Sequence, residues 1–156
     1  MAHHIVALIG SQQAVARVLT VADTPSPTTL GSELQIVPLG YEQIDQLTRL
    51  VPGERLDGFM YLSVGLEAAI LRAVDGLMIG YVETDYVGGT GAQAAAVFAD
   101  GAVTFRAATP IRRGPAKRED PINTALRQLG VMASPQVDEF DTLGLGRFRN
   151  LEALGL

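Results

Sequence analysis

The segment Glu83-Thr84-Asp85-Tyr86-Val87-Gly88-Gly89-Thr90-Gly91-Ala92-Gln93 brings acidic, phenolic and amide side chains together beside a glycine cluster. On a strand, pleat alternation would place Glu83 and Asp85 on one face, about 7 Å apart along the backbone. The glycines that follow permit positive φ angles and the close approach of another backbone. Two carboxylates presented together could attract a cationic side chain of a partner protein. A hard metal needs more oxygen ligands than this pair supplies, and no remaining shell is recognisable, so no metal site is assigned. The same segment could instead line a small-ligand or catalytic pocket, with Glu83 as acid or base and Tyr86 or Gln93 orienting a substrate. It could equally be the polar end of a strand entering a turn. The candidate binding residues are therefore Glu83, Asp85, Tyr86, Gly88, Gly89, Thr90, Gly91 and Gln93.

Other motifs are weaker. Gly89-Thr90-Gly91-Ala92-Gln93-Ala94 has the spacing of a relaxed dinucleotide-binding GxGxxA, which requires a helix after it to hold the pyrophosphate. The following element is short and turns at Asp100-Gly101, so no nucleotide cofactor is expected. Tyr61-Leu62-Ser63-Val64-Gly65 lacks the first glycine of a nucleophile elbow, and both histidines, His3 and His4, precede the serine. Ser63 reads better as a helix cap. A strand would send His3 and His4 to opposite faces, and there is no third histidine to complete a zinc site. Arg112, Arg113, Lys117 and Arg118 could meet phosphate, but without interleaved aromatic residues they read as a solvated loop. Glu139 and Asp141, beside Phe140, suit either a partner-facing ridge or a docked tail.

The 156 residues suit a single domain over 1–156, and the composition, 47% hydrophobic and 19% charged, is that of a chain able to bury a core. The lack of cysteine excludes disulfide scaffolds and thiol chemistry. No apolar run is long enough to span a membrane and no signal peptide is recognisable, so a cytoplasmic protein without membrane association is expected. The net charge is 12 − 17 = −5. Residues 1–100 hold four basic and eleven acidic groups, whereas 101–156 hold eight and six. That acidic field discourages nucleic-acid binding and favours a basic protein partner, with affinity that should weaken in salt.

Strands are expected at 4–9, 34–39 and 77–87, and an Asp100-Gly101 hairpin should join 94–99 to 102–106. Helices are expected at 11–22, after Gly40 through Val51, at 64–74 capped by Ser63, and from Asp120-Pro121 to Gly130. These elements predict an α/β or α+β fold, a single mixed sheet of about five strands with four helices. Residues 132–156 would be a docked C-terminal tail.

Pro52-Gly53-Glu54-Arg55-Leu56-Asp57-Gly58-Phe59, Glu83 through Gln93, and Asp138-Glu139-Phe140-Asp141-Thr142-Leu143-Gly144-Leu145 resemble motifs of small uncharacterised bacterial proteins. Some proteins of this size and acidity are immunity partners of secreted toxins, and the resemblance implies that role without transferring any catalytic residue. The leading expectation is thus a noncatalytic protein-binding module, with no cofactor, using an acidic surface around Glu83 and Asp85. The rival is a small-ligand protein or enzyme using the Glu83–Gln93 turn. A flat acidic patch would favour the first, and a concave pocket the second.

Overall fold

The structure, a computed structural model, describes residues 2–156. Its centre is an open sheet of seven strands in which β1 (Ala2–Ser11), β4 (Ile79–Val87) and β5 (Thr90–Ala99) are the long central members. β3 (Leu34–Pro38) and β2 (Thr28–Thr29) extend it beyond β1, while β6 (Ala102–Ala108) and β7 (Arg112–Arg113) both pair with the far side of β5. Every pairing is antiparallel, so the sheet is not of mixed direction. The repeated strand-then-helix order does not produce parallel strands, because α1 (Gln12–Leu19) and the connection after it return the chain to the end of β1 it left, setting Ser11 opposite Leu34.

Helices cover both faces. α1, α2 (Tyr41–Thr48) and α3 (Val64–Val74) pack on one, against Val6, Leu8, Val37, Tyr81, Ala96 and Phe98. α4 (Pro121–Gln128), α5 (Glu139–Thr142) and the C-terminal segment cover the other, where Ile5, Ala7, Ile9, Val82, Ala95 and Val97 lie. The run Ile5 to Gly10 is accordingly buried throughout rather than alternately, as expected of a strand covered on both sides. From residues 132–156, Leu143, Leu145, Phe148 and Leu154 enter this second core. No helix among the described residues is long and apolar enough to cross a membrane.

Ser11 and Ser63 accept from the Ala14 and Leu66 N–H groups, as their positions before helices imply. Asp100 and Gly101 adopt φ of 54° and 77°, the paired positive angles of a tight hairpin turn, and the alanine-rich run before them is strand. The second expected helix is shorter than its apolar pattern suggests. Arg49 and Leu50 take left-handed φ of 53° and 62°, which ends α2 and leaves Leu50 and Val51 exposed rather than on the buried stripe. Two strands and one helix beyond the expected number, β2, β7 and α5, span two, two and four residues, too few to show a period.

Gly88 and Gly89 form the β4–β5 turn with φ of 60° and 80°. Gly91 has a different role: a Cβ there would lie 2.6 Å from the Tyr86 Cα and closer still to the Asp85 carbonyl oxygen. Backbone cannot yield as a flexible side chain can. Gly91→Ala should therefore lower stability by roughly 1–3 kcal/mol, read as a shift in the urea denaturation midpoint.

Candidate functional site

The pleat of β4 divides the candidate residues between the two layers. Tyr81, Glu83 and Asp85 face the α1–α3 layer, and Val82, Thr84 and Tyr86 face the α4–α5 layer. Glu83 and Asp85 do share a face, as their spacing predicts, but they do not stand at the surface together. Glu83 is 1% exposed and binds the loop before α3: Oε1 accepts from the Met60 N–H at 2.6 Å, and Oε2 accepts from the Tyr61 and Leu62 N–H groups at 2.9 and 3.0 Å. The Tyr81 hydroxyl donates to the same Oε2 at 2.5 Å. Burial first, and then the Glu83 charge, hold the Tyr81 hydroxyl well above its ordinary pKa, so it stays protonated as the donor this contact requires. Asp85 alone is exposed, with its carboxylate 3.5 Å from Nδ1 of His4, its cross-strand neighbour.

On the other face, a cavity of about 270 Å³ lies between the β4–β5 hairpin, the segment around Gly114 and Ala116, and the start of α4. Tyr86, Gly89 and Gln93 line it, together with His3, Ile122 and Phe140. Its volume lies near the lower limit of ligand pockets, which run about 300–1,000 Å³, and suits a small molecule.

Gln93, 7% exposed, is held at both ends of its amide: Oε1 accepts from the Ile122 N–H at 2.9 Å, and Nε2 donates to the Tyr86 hydroxyl oxygen at 3.2 Å. Neither Gln93 Nε2 nor the Tyr86 hydroxyl has a further hydrogen-bond partner among the described residues, so one donor hydrogen on each is unused, and both residues line the cavity. Asn123 is saturated as a donor, giving its two amide hydrogens to the Lys117 carbonyl and Asp138, while its oxygen accepts from the Phe140 N–H.

His3 is a poor general base in this setting. Its Nε2 lies 3.1 Å from the Leu145 carbonyl, which can only accept, so the ring proton belongs on Nε2. Nδ1 then accepts from the Thr84 hydroxyl at 2.8 Å, and that hydroxyl oxygen accepts from the Ile5 N–H at 3.0 Å. Both ring nitrogens are engaged. Burial pushes the His3 pKa down, with Arg149 and His4 adding to the shift and the Leu145 hydrogen bond opposing it. The Phe140 ring meets the imidazole edge-on, with centroids 5.7 Å apart.

The structure thus brings Tyr86, Gly89 and Gln93 to the cavity, separates Glu83 and Asp85 from it, and uses Gly88 and Gly91 to form the hairpin. Thr90 is exposed, paired with Val87 on one side and Arg113 on the other. His3, Thr84, Ile122, Asn123 and Phe140 were not among the candidates. Strand parity could have indicated Thr84, which shares the face of Tyr86, but the other residues come from distant parts of the chain. Glu83 and Asp85 also border a second concavity of about 320 Å³ beside Met60 and Ile111, where every Glu83 oxygen is already engaged. No group of three or more potential metal ligands occurs among the described residues. In comparisons with known proteins, no family model matches the chain and neither a curated protein nor a solved structure is significantly similar to it.

Two measurements test these roles. Glu83→Gln replaces an acceptor oxygen by an amide facing backbone N–H donors, and should cost at least about 3 kcal/mol in denaturant unfolding, whereas Asp85→Asn should leave the midpoint close to that of the parent. For His3, the unfolded chain binds a proton near pH 6.5 that the folded protein resists. Its contribution to stability is therefore present above about pH 6.5 and lost as pH falls through the lower folded-state pKa. Between about pH 7.5 and 5, the midpoint of His3→Gln should fall less steeply than that of the parent.

Proposed function

We propose that the protein binds a small organic molecule in the cavity bounded by Tyr86, Gln93 and Phe140. The observation that carries this reading is the pair of unspent donors, Tyr86 O–H and Gln93 N–H, on side chains already fixed by other hydrogen bonds at the wall of a mainly apolar cavity. Preorganised donors favour binding because little side-chain freedom remains to be lost when the ligand arrives. Phe140 and Ile122 supply the apolar contact, and the two donors orient an acceptor atom on the ligand.

What supports this over an acidic protein-docking surface is the division of the carboxylate pair. Glu83 is occupied in holding residues 60–62, so Asp85 alone remains for a basic partner, an immunity-type toxin included. Binding rather than catalysis is favoured because the only histidine at the cavity has both nitrogens engaged.

The reading is tested by following backbone amide NMR resonances during titration with phenol, indole and short aliphatic alcohols. Shifts concentrated at Gly89, Gln93, Ile122 and Phe140, with affinity reduced about tenfold in Tyr86→Phe, are expected from loss of one ligand hydrogen bond. Absence of shifts at those residues with these probes and with charged compounds of the same ring size would overturn the reading. A basic protein that instead perturbs His4 and Asp85 would support the docking surface.

A further inference from the structure

We propose that the ligand of this cavity is a small carboxylic acid in its ionised form, with an aromatic or short aliphatic body. The inference rests on the small-ligand reading above and adds the charge class. The two unspent polar groups on the walls, Tyr86 O–H and Gln93 N–H, are both donors. The cavity also meets the N-terminal end of α4. The Ile122 N–H there donates to Gln93 Oε1, Asn123 also lines the cavity, and first-turn amides carry the positive end of the helix dipole.

The segment forming the opposite wall adds charge of the same sign. Residues 112–120 carry Arg112, Arg113, Lys117 and Arg118 against Glu119 and Asp120. Arg112 is paired with Asp120 and the Arg118 guanidinium donates to the Ser134 carbonyl, so Arg113 and Lys117 are the cations left over among the described residues of this segment. Arg113 and Lys117 immediately flank the lining residues Gly114 and Ala116. Of the nearby carboxylates, Glu139 and Asp141 flank the lining Phe140, Glu139 pairing with Arg127 and Asp141 being exposed, while two others are tied down by hydrogen bonds. Asp120 accepts from the Arg112 guanidinium and the Lys117 N–H, and Asp138 accepts from Asn123 Nδ2 and the Asp141 N–H. No carboxylate lines the cavity itself. An acceptor-only head group facing the donors and an apolar body against Phe140 and Ile122 would match this distribution; an ammonium group would oppose it.

Benzoate, benzamide and benzylamine share one ring and differ in charge, so the full-length protein titrated with each at neutral pH separates the two layers of the argument. Benzoate should shift the Gly89, Gln93 and Ile122 amides, bind at least tenfold more tightly than benzylamine and several-fold more tightly than benzamide, and weaken with added salt. Benzamide or benzylamine binding as well as benzoate would overturn the carboxylate assignment while leaving a small-ligand cavity. Binding of phenol or indole with no benzoate response would do the same. No response to any of these probes would overturn both readings.

Discussion

The pleat of β4 is the constraint on which the arrangement depends. Because successive side chains leave a strand on opposite faces, a short acidic and aromatic segment serves two layers at once. Glu83 turns toward the α1–α3 layer and gathers three consecutive backbone N–H groups, while Thr84 and Tyr86 turn toward α4 and join His3 and Gln93. A one-residue change of register would exchange these roles, putting a carboxylate into the apolar cavity and a phenol against the loop donors. Burial on both faces, together with the nine-residue pairing of β1 with β4, opposes such a slip.

Glu83 and Gln93 solve related problems by different chemistry. The loop at 60–62 presents backbone donors to the buried Glu83 side chain, and its one carboxylate satisfies them together with the Tyr81 hydroxyl. Gln93 joins the hairpin to α4 through a neutral amide whose two ends point in opposite chemical senses, accepting from Ile122 and donating to Tyr86. The first arrangement spends all the polar capacity it assembles and leaves a structural anchor. The second leaves donors over, and the proposed ligand site rests on that surplus.

Much of the fold was legible because its signals are local. Ser63 before an apolar helical stripe, Asp100-Gly101 between strand-forming runs, and the branched apolar residues of β1 each act within a few positions, and each appears in the structure. The same local reasoning placed Glu83 and Asp85 on one face. It could not reveal Glu83's burial, because the N–H groups that satisfy it belong to residues 60–62 and arrive only through tertiary packing. The cavity was only partly legible for the same reason. Tyr86, Gly89 and Gln93 lie in one hairpin, but His3 comes from the first strand and Phe140 from the C-terminal region, and nothing in their spacing announces that they meet. Asp120 shows a subtler limit. It stands before α4 where a cap is expected, yet its side chain bonds to Arg112 and the Lys117 N–H, tying down the cavity's loop instead of the helix end.

The surplus donors at Tyr86 and Gln93 are the groups that the proposed ligand would engage. Native mass spectrometry of the protein isolated gently from its own host tests this without prior choice of compound. A noncovalent small-molecule adduct on the parent chain is expected, diminished when Tyr86 is replaced by Phe and Gln93 by Leu. Recovery of the chain bound to a basic protein and carrying no small molecule, with that complex unaffected by the same replacements, would contradict it.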